Sequence, residues 1–156
     1  MRVVDASVWV ARLVPQDVHY AASRRWIEAC TARGGTLVAP LLLLAEVAGA
    51  VARRTGSADL AKRATETLLA LPNLRLVALD ARLGRASADL AAELGLKGAD
   101  ATYVAVAHLL GLPLVTWDQQ QGERAGKRVK VYRPDTDRLQ DLDVLHERAE
   151  TAYRVR

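Results

Sequence analysis

The chain has 156 residues, of which 51% are hydrophobic and 26% are charged, a composition typical of one ordinary globular domain and not of a disordered chain. Its single cysteine, Cys30, excludes an intrachain disulfide framework and a cysteine-based zinc site, and fits a reducing, cytoplasmic setting. The formal net charge of +4 weakly favours a polyanionic partner.

Short apolar runs rich in β-branched residues alternate with longer stretches rich in Ala and Leu. The runs lie at residues 3–4, 36–39, 74–79, 113–116 and 129–132, and most are bounded by Gly, Pro, Asn or Asp, as strands usually are. The predicted helices cover residues 20–32, 41–54, 58–71, 81–94 and 99–110, with a short one after Asp118. This alternation predicts βαβ crossovers and a parallel sheet covered on both faces.

Residues 134–156 form a predicted C-terminal extension to a domain of residues 1–133. A plausible cap at Asp137 precedes an amphipathic pattern that predicts a helix, with its apolar face at Leu139, Leu142, Leu145 and Ala149. The pattern leaves open whether this helix packs on the same domain or on a partner chain.

A membrane association is not expected. Asp5 stands where a signal peptide would be apolar. The apolar run over residues 39–52 is too short to cross a bilayer and contains Glu46.

Four carboxylates lie in apolar surroundings. Asp5 ends the first predicted strand, Glu46 lies within PLLLLAEVAGAVA, Asp100 opens the run ADATYVAVAHLLG, and Asp118 follows LVTW. A buried carboxylate is costly unless it is paired, neutralised or metal-bound, and two like charges ~4 Å apart repel by roughly 4 kcal/mol at an effective dielectric of 20. Because ligands bind outside the carboxyl ends of parallel strands, Asp5 and Asp118 are expected at the same edge of the sheet. A divalent cation would offset both costs.

Each acid also has a purely structural interpretation. Asp5 and Asp118 suit turns at strand ends, Asp100 suits a helix N-cap, and Glu46 suits a buried pair with an arginine about two helical turns away. As a set, however, the acids favour Mg²⁺ or Mn²⁺ over zinc, because all the ligands are oxygens. Two such ions about 3.5–4 Å apart clamp the attacking and leaving oxygens of an in-line phosphoryl displacement.

Three segments carry a combined signature: VVDASVWVA at the start, LLAEVAGAVAR in the second quarter and GADATYVAVAHLLGLPLVTWD in the third. Over about residues 1 to 133 the chain resembles PIN-domain ribonucleases, and specifically the VapC toxins of prokaryotic toxin–antitoxin pairs. The resemblance implies a three-layer α/β/α sandwich with a parallel sheet of about five strands. It also implies a Mg²⁺- or Mn²⁺-dependent endoribonuclease with one or two ions, a cognate antitoxin and a homodimer.

Carried over residue by residue, the resemblance implies that the metal-binding and catalytic acids are Asp5, Glu46, Asp100 and Asp118. Ser7 and Thr116 fall at hydroxyl positions beside the first and last acids, where each either orients a carboxylate or water or caps the local backbone. Some relatives carry a further acid or amide past the fourth acid. Here that stretch is all glutamine, and Gln121 is the supporting candidate, acting through water.

Two basic residues, Lys97 and Arg124, are candidates for contacts with an RNA backbone, with a solvated basic face as the alternative. His108 lies inside an apolar helical stretch and is expected in the core. The alternative function is a catalytically inactive PIN-like module that binds RNA or protein, which the glutamines after Asp118 favour. A phosphotransfer domain would need a second acid close after Asp5, where the sequence has Ala6 and Ser7.

Overall fold

Five short strands form one parallel sheet in the order β3-β2-β1-β4-β5 in the computed structural model, which describes residues 1–139. The strands are β1 (Arg2–Val4), β2 (Leu37–Pro40), β3 (Leu74–Val77), β4 (Leu114–Val115) and β5 (Val131–Tyr132). Every hydrogen-bonded pair is parallel. The central strand β1 is completely buried, including Arg2, and its apolar pair Val3-Val4 suits a sheet covered on both faces.

Seven helices connect the strands within residues 1–139, because parallel strands need crossover connections. They are α1 (Ala6–Leu13), α2 (Tyr20–Ala32), α3 (Leu43–Thr55), α4 (Ala58–Leu69), α5 (Ala81–Leu94), α6 (Gly98–Leu110) and α7 (Gln119–Ala125). The result is a three-layer α/β/α sandwich, which confirms the predicted fold class. None of these helices combines the length and the apolar character that a membrane span requires.

Helix α6 is the most deeply buried helix next to the sheet. All of residues 101–107 are buried, and the helix contacts β1, β2 and β4. Its last turn leaves the core, so His108 is exposed and the prediction of a core histidine was wrong. The apolar run continues through Leu109 and Leu110, which are also exposed, and this explains why the sequence pattern overextended the core.

Helix α1 was not predicted. Its run Val8-Trp9-Val10 consists of β-branched and aromatic residues, which taken locally favour a strand. The helix forms because Asp5 caps its N-terminus, accepting a hydrogen bond from the Ser7 N–H at 2.8 Å, and because its apolar face is buried in the core. The residue that ends β1 therefore also starts α1.

A buried ion pair ties the chain beyond β5 back to the first strand. Arg2 donates from Nε to Oδ2 of Asp137 at 3.1 Å, and the two side chains are 0% and 3% exposed. Trp26 donates to the same carboxylate oxygen at 3.2 Å, and the Arg2 guanidinium lies 5.5 Å from the centre of the Tyr132 ring. Leu139 is also buried in the core, so residues up to Leu139 contact the domain, and Asp137, the residue predicted as a helix cap, forms a buried ion pair. The rest of the predicted tail helix lies outside the described residues.

We expect Asp137→Asn to lower the free energy of unfolding by about 3 kcal/mol, because Arg2 would keep a buried charge without a counter-charge. Urea denaturation followed by tryptophan fluorescence measures the change. The matched control is Glu28→Gln, which removes an exposed pair with Arg24 and should change the value by less than about 0.5 kcal/mol. Equal effects of the two substitutions would contradict the importance of the buried pair.

Candidate metal and active site

The candidate site lies where the chain reverses its direction across the sheet. From β1 the chain moves outward to β2 and β3, and then returns to place β4 on the other side of β1. The loops after β1 and β4 diverge at such a switch point, which is where open parallel sheets bind ligands. Asp5 follows β1 directly and Asp118 follows shortly after β4. The Asp5 N–H donates to the Val115 carbonyl at 2.9 Å and joins the ends of the two strands.

Asp5 is the most deeply buried of the four candidate acids, at 6% exposure. Its Oδ2 accepts from the Ser7 N–H at 2.8 Å and from the Thr116 hydroxyl at 3.4 Å. Its Oδ1 accepts from Nε2 of Gln121 at 3.1 Å. All three donors are neutral, so they orient the carboxylate without removing its charge.

Glu46 and Asp100 are brought to Asp5 by helices α3 and α6. Glu46 accepts a hydrogen bond at Oε2 from the Tyr103 hydroxyl at 2.7 Å. Burial raises the pKa of the Glu46 carboxyl, the Tyr103 hydrogen bond partly offsets this rise, and the charges of Asp5 and Asp100 raise it further. Burial likewise raises the pKa of Asp100, and so do Asp5 and Asp118, against an opposing effect of Lys97. Glu46 and Asp100 therefore each lie in the electrostatic field of other acids of the set.

Asp118 is exposed and begins helix α7 as its N-cap. Its Oδ1 accepts from the Gln121 N–H at 2.8 Å, and its own N–H donates to the Thr116 hydroxyl at 3.0 Å. Asp118 thus takes the structural position that its place after a strand suggested, while the N-cap predicted at Asp100 was wrong, because α6 begins earlier and Lys97 is its N-cap. The charge of Asp118 also reaches Asp100. Within residues 1–139, no three acidic, histidine or cysteine side chains are grouped tightly enough to hold a metal ion as they stand. The acids share a field without clustering, as mutual repulsion favours.

The two predicted hydroxyls link the loops that carry Asp5 and Asp118. Ser7 Oγ accepts from the Trp117 N–H at 3.0 Å and lies 3.3 Å from Thr116 Oγ1. Thr116 accepts from the Asp118 backbone and donates to the Asp5 carboxylate. The Thr116 hydroxyl therefore both caps the backbone at Asp118 and contacts the Asp5 carboxylate.

Gln121 is 1% exposed and reaches two of the acids. Besides its bond to Asp5, Nε2 lies 3.5 Å from the Asp100 carbonyl. Its Oε1 is buried and has no hydrogen-bond partner in the part of the chain that the structure describes. The amide points its donor at Asp5 because a carboxylate only accepts, and this leaves the acceptor unsatisfied.

The two predicted substrate contacts differ in their surroundings. Lys97 is exposed at the N-cap of α6, and its charge lowers the pKa of Asp100, so it lies beside the acids. The Arg124 guanidinium instead donates to the Gly95 carbonyl, where α5 ends. Contacts of this kind satisfy the last carbonyls of a helix, so the structure favours a structural role for Arg124.

Tyr103 is a site residue that the sequence analysis did not identify. It is completely buried in the apolar run of α6, which hides its hydroxyl in the pattern. The available signal is its spacing, since residues three apart share a helix face and Asp100 lies one turn earlier. Burial and the charges of Glu46 and Asp5 raise the pKa of Tyr103, so the phenol stays protonated and remains a donor to Glu46.

We expect Glu46→Gln and Asp100→Asn each to raise the melting temperature by a few degrees near pH 7 in metal-free buffer. A carboxyl whose pKa is raised by folding makes stability fall as pH rises above its ordinary value, here 4.5 for Glu46 and 3.8 for Asp100. The gain should therefore shrink as the pH is lowered toward about 4. Thermal unfolding between pH 4 and 8 with EDTA measures it.

The controls for this experiment are Glu66→Gln and Asp89→Asn, which neutralise exposed acids on α4 and α5. Neither should change the melting temperature comparably. A gain at the site that is the same at pH 4 and pH 8 would show that charge repulsion is not its cause.

The sequence matches the PIN domain family over residues 2–127, a range that includes all four acids. A search of curated proteins finds no match. Among solved structures, VapC20 of Mycobacterium tuberculosis, a toxin that cleaves the sarcin–ricin loop, aligns with a TM-score of 0.67 at 21% identity, covering 79% of this chain and 94% of that one.

Two further structures share the fold. VapBC2 of Rickettsia felis, solved with a DNA fragment from its promoter, has a TM-score of 0.66 at 15% identity and covers 85% of this chain and 97% of that one. FitAcB of Neisseria gonorrhoeae has a TM-score of 0.63 at 22% identity and covers 86% of this chain and 98% of that one. The family match extends over most of the sequence, and the three-layer α/β/α fold with a five-stranded parallel sheet agrees with it. The chain therefore belongs to the PIN domain family.

Proposed function

We propose that this chain is a metal-dependent endoribonuclease that hydrolyses RNA phosphodiester bonds and acts as the toxin of a toxin–antitoxin pair. The observation that carries the proposal is the field shared by Asp5, Glu46, Asp100 and Asp118 at the switch point. Within residues 1–139, none of the four forms an ion pair with a lysine or arginine. Unneutralised acids that lie within one another's electrostatic field are suited to a cation and are costly otherwise.

The donor set of the site fits Mg²⁺ or Mn²⁺. Asp5, Glu46, Asp100 and Asp118 would hold one or two ions, since hard divalent cations prefer carboxylate oxygens. The unsatisfied Oε1 of Gln121 is a buried acceptor that calls for a donor such as an ordered water. When bound, the cation would supply Lewis-acid stabilisation of the charge on the phosphoryl oxygens.

Neighbouring side chains orient two of the acids, and an exposed lysine beside them is available to bind the substrate. Ser7, Thr116 and Gln121 fix the direction of the Asp5 carboxylate, and the Tyr103 phenol fixes that of Glu46. Orienting groups around such ligands support binding as much as the ligands do. Lys97 lies next to Asp100 and is exposed, so its ammonium suits a phosphate of the RNA backbone.

The proposed partners are a cognate antitoxin, a second copy of the chain and RNA. The VapBC2 complex among the solved relatives supports an antitoxin, and exposed apolar side chains supply contact area for protein partners. These side chains include Val18, Leu69, Leu79 and Leu110. Action on RNA implies a cytoplasmic location, which the single buried cysteine fits.

A catalytically inactive module that binds RNA or protein is the second candidate function. It is favoured by Gln121, a neutral amide at a buried position among the acids, and by the exposed position of Asp118. Fewer charges and a loosely held acid would weaken metal binding. The cleavage experiment below decides between the two candidates.

The purified chain should cleave single-stranded RNA with Mn²⁺ or Mg²⁺, and EDTA should abolish the cleavage. Asp100→Asn should lower the rate at least about 100-fold, because it removes a charged ligand from the cation. Asp89→Asn, purified in parallel, should cleave like the wild type and controls for the loss of an acid elsewhere, while the loss of cleavage in Asp100→Asn excludes a contaminating ribonuclease. Cleavage by Asp100→Asn at the wild-type rate would contradict the site, whereas an inactive wild type would favour the binding module.

Metal binding should also be visible without turnover. At a Mn²⁺ concentration ten times its dissociation constant, the wild type should gain about 1.4 kcal/mol of stability. Thermal unfolding with and without Mn²⁺ measures this gain, which should be largely lost in Asp100→Asn and kept in Asp89→Asn. An equal gain in all three proteins would mean that Mn²⁺ binds elsewhere.

A further inference from the structure

A groove of about 450 Å³ lies between α1 and α3, beside the acids. Ser7 and Glu46 line it next to the candidate metal site, and Arg53 and Arg54 line it about two turns further along α3. The other lining residues are small alanines and Val10, so the wall between these charged groups is apolar. The volume is in the range of pockets that hold a small ligand.

Helix α3 has room for the Arg53 side chain to lie back toward Glu46. A Cβ built at Gly49 would be 3.0 Å from Nη1 of Arg53, so the guanidinium lies over this glycine. If the backbone of the helix is left aside, the atoms within 4 Å of that Cβ belong to the Arg53 side chain. Glycine inside a helix costs about 1 kcal/mol relative to alanine, and at this position the absence of a Cβ leaves room for the Arg53 guanidinium.

Within the described residues, the Arg53 side chain has no hydrogen-bond or ion-pair partner, whereas that of its neighbour Arg54 has one. The Arg54 guanidinium pairs with Asp17, in the loop between α1 and α2. The Arg53 side chain makes no hydrogen bond or ion pair with any residue in the described range 1–139, and it is not among the groups that shift the pKa of Glu46. This disfavours the buried pair between Glu46 and a distant arginine that the sequence left open.

We propose that the groove holds the nucleotide adjacent to the scissile bond, with Arg53 binding its phosphate; the inference rests on the proposed ribonuclease function. Gly49 is three residues from Glu46, so the two positions are roughly 4.5 Å apart along the helix axis. The guanidinium over Gly49 therefore lines the same groove as Glu46 without acting on its carboxyl. A planar guanidinium suits a phosphate, and the alanines suit the sugar and base. The acids and Arg53 would then hold two successive phosphates of one RNA strand.

The test measures RNA binding in an Asp100→Asn background with EDTA, so that the probe is not cleaved. The probe is a fluorescein-labelled single-stranded RNA of mixed sequence, about 12 nucleotides long, titrated at salt concentrations from 50 to 200 mM. Adding Arg53→Gln should weaken binding about fivefold to tenfold at low salt. It should also reduce the slope of log K against log salt by about 0.7, the value of one phosphate contact with a single strand.

Arg82→Gln is the matched control, since Arg82 is exposed on α5 and does not line the groove. It should leave both the affinity and the slope near those of the parent. An affinity and a slope unchanged by Arg53→Gln would overturn the proposal, and the groove would then be left to a protein partner.

A second pair of variants tests the position of Arg53 with its charge intact. Gly49→Ala should raise the melting temperature by about 2 to 3 °C through helix propensity and weaken RNA binding severalfold, because the methyl group displaces the guanidinium. Gly84→Ala in α5, where a Cβ meets nothing within 4 Å, should stabilise similarly without affecting RNA binding. Equal RNA binding by the two variants would overturn the assigned position of Arg53.

The two proposals fail in different ways. If the wild type cleaves RNA but Arg53→Gln binds it as the parent does, the groove assignment falls and the nuclease stands. If the wild type does not cleave RNA with either metal but binds it in an Arg53-dependent way, the nuclease falls; Arg53 then remains an RNA-phosphate contact, and the position next to a scissile bond is lost with the nuclease.

Discussion

Repulsion among carboxylates is the constraint around which this domain is arranged. Asp5, Glu46 and Asp100 are held in one another's fields by an N–H, two hydroxyls and an amide, all of them neutral. Arginines in these places would neutralise the carboxylates and stabilise the fold. Without them the acids cost stability at the switch point, while the buried strand β1 and helix α6 stabilise the domain around it.

The same residues connect the site to the fold. Asp5 ends β1, begins α1 and carries the most buried charge of the set, so strand, helix and site share one side chain. Thr116 and Ser7 join the loops after β1 and β4. Because the acids come from four separate segments, their arrangement depends on the register of β1 against β4 and on the packing of α3 and α6 around them.

Most of the fold could be predicted from the sequence, because buried parallel strands and amphipathic helices leave strong local patterns. The failures occurred where tertiary burial outweighs local preference. Helix α1 looks like a strand in isolation, and the apolar run of α6 continues past the point where the helix leaves the core, exposing His108. The four acids were identifiable because charges in apolar runs are unusual. Tyr103 and the Arg53 side chain over Gly49 were not, since their roles depend on distances between helices or on a side-chain conformation.

The contact between Arg2 and Asp137 has a consequence for how the chain acquires its structure during synthesis. The central strand leaves the ribosome first, yet its guanidinium finds its counter-ion only after almost the whole domain has been made, and its second neighbour, β4, also comes late. Contacts between residues so distant along the chain slow folding. A nascent chain that still lacks β4 and Asp137 therefore has neither the finished sheet nor the assembled acids.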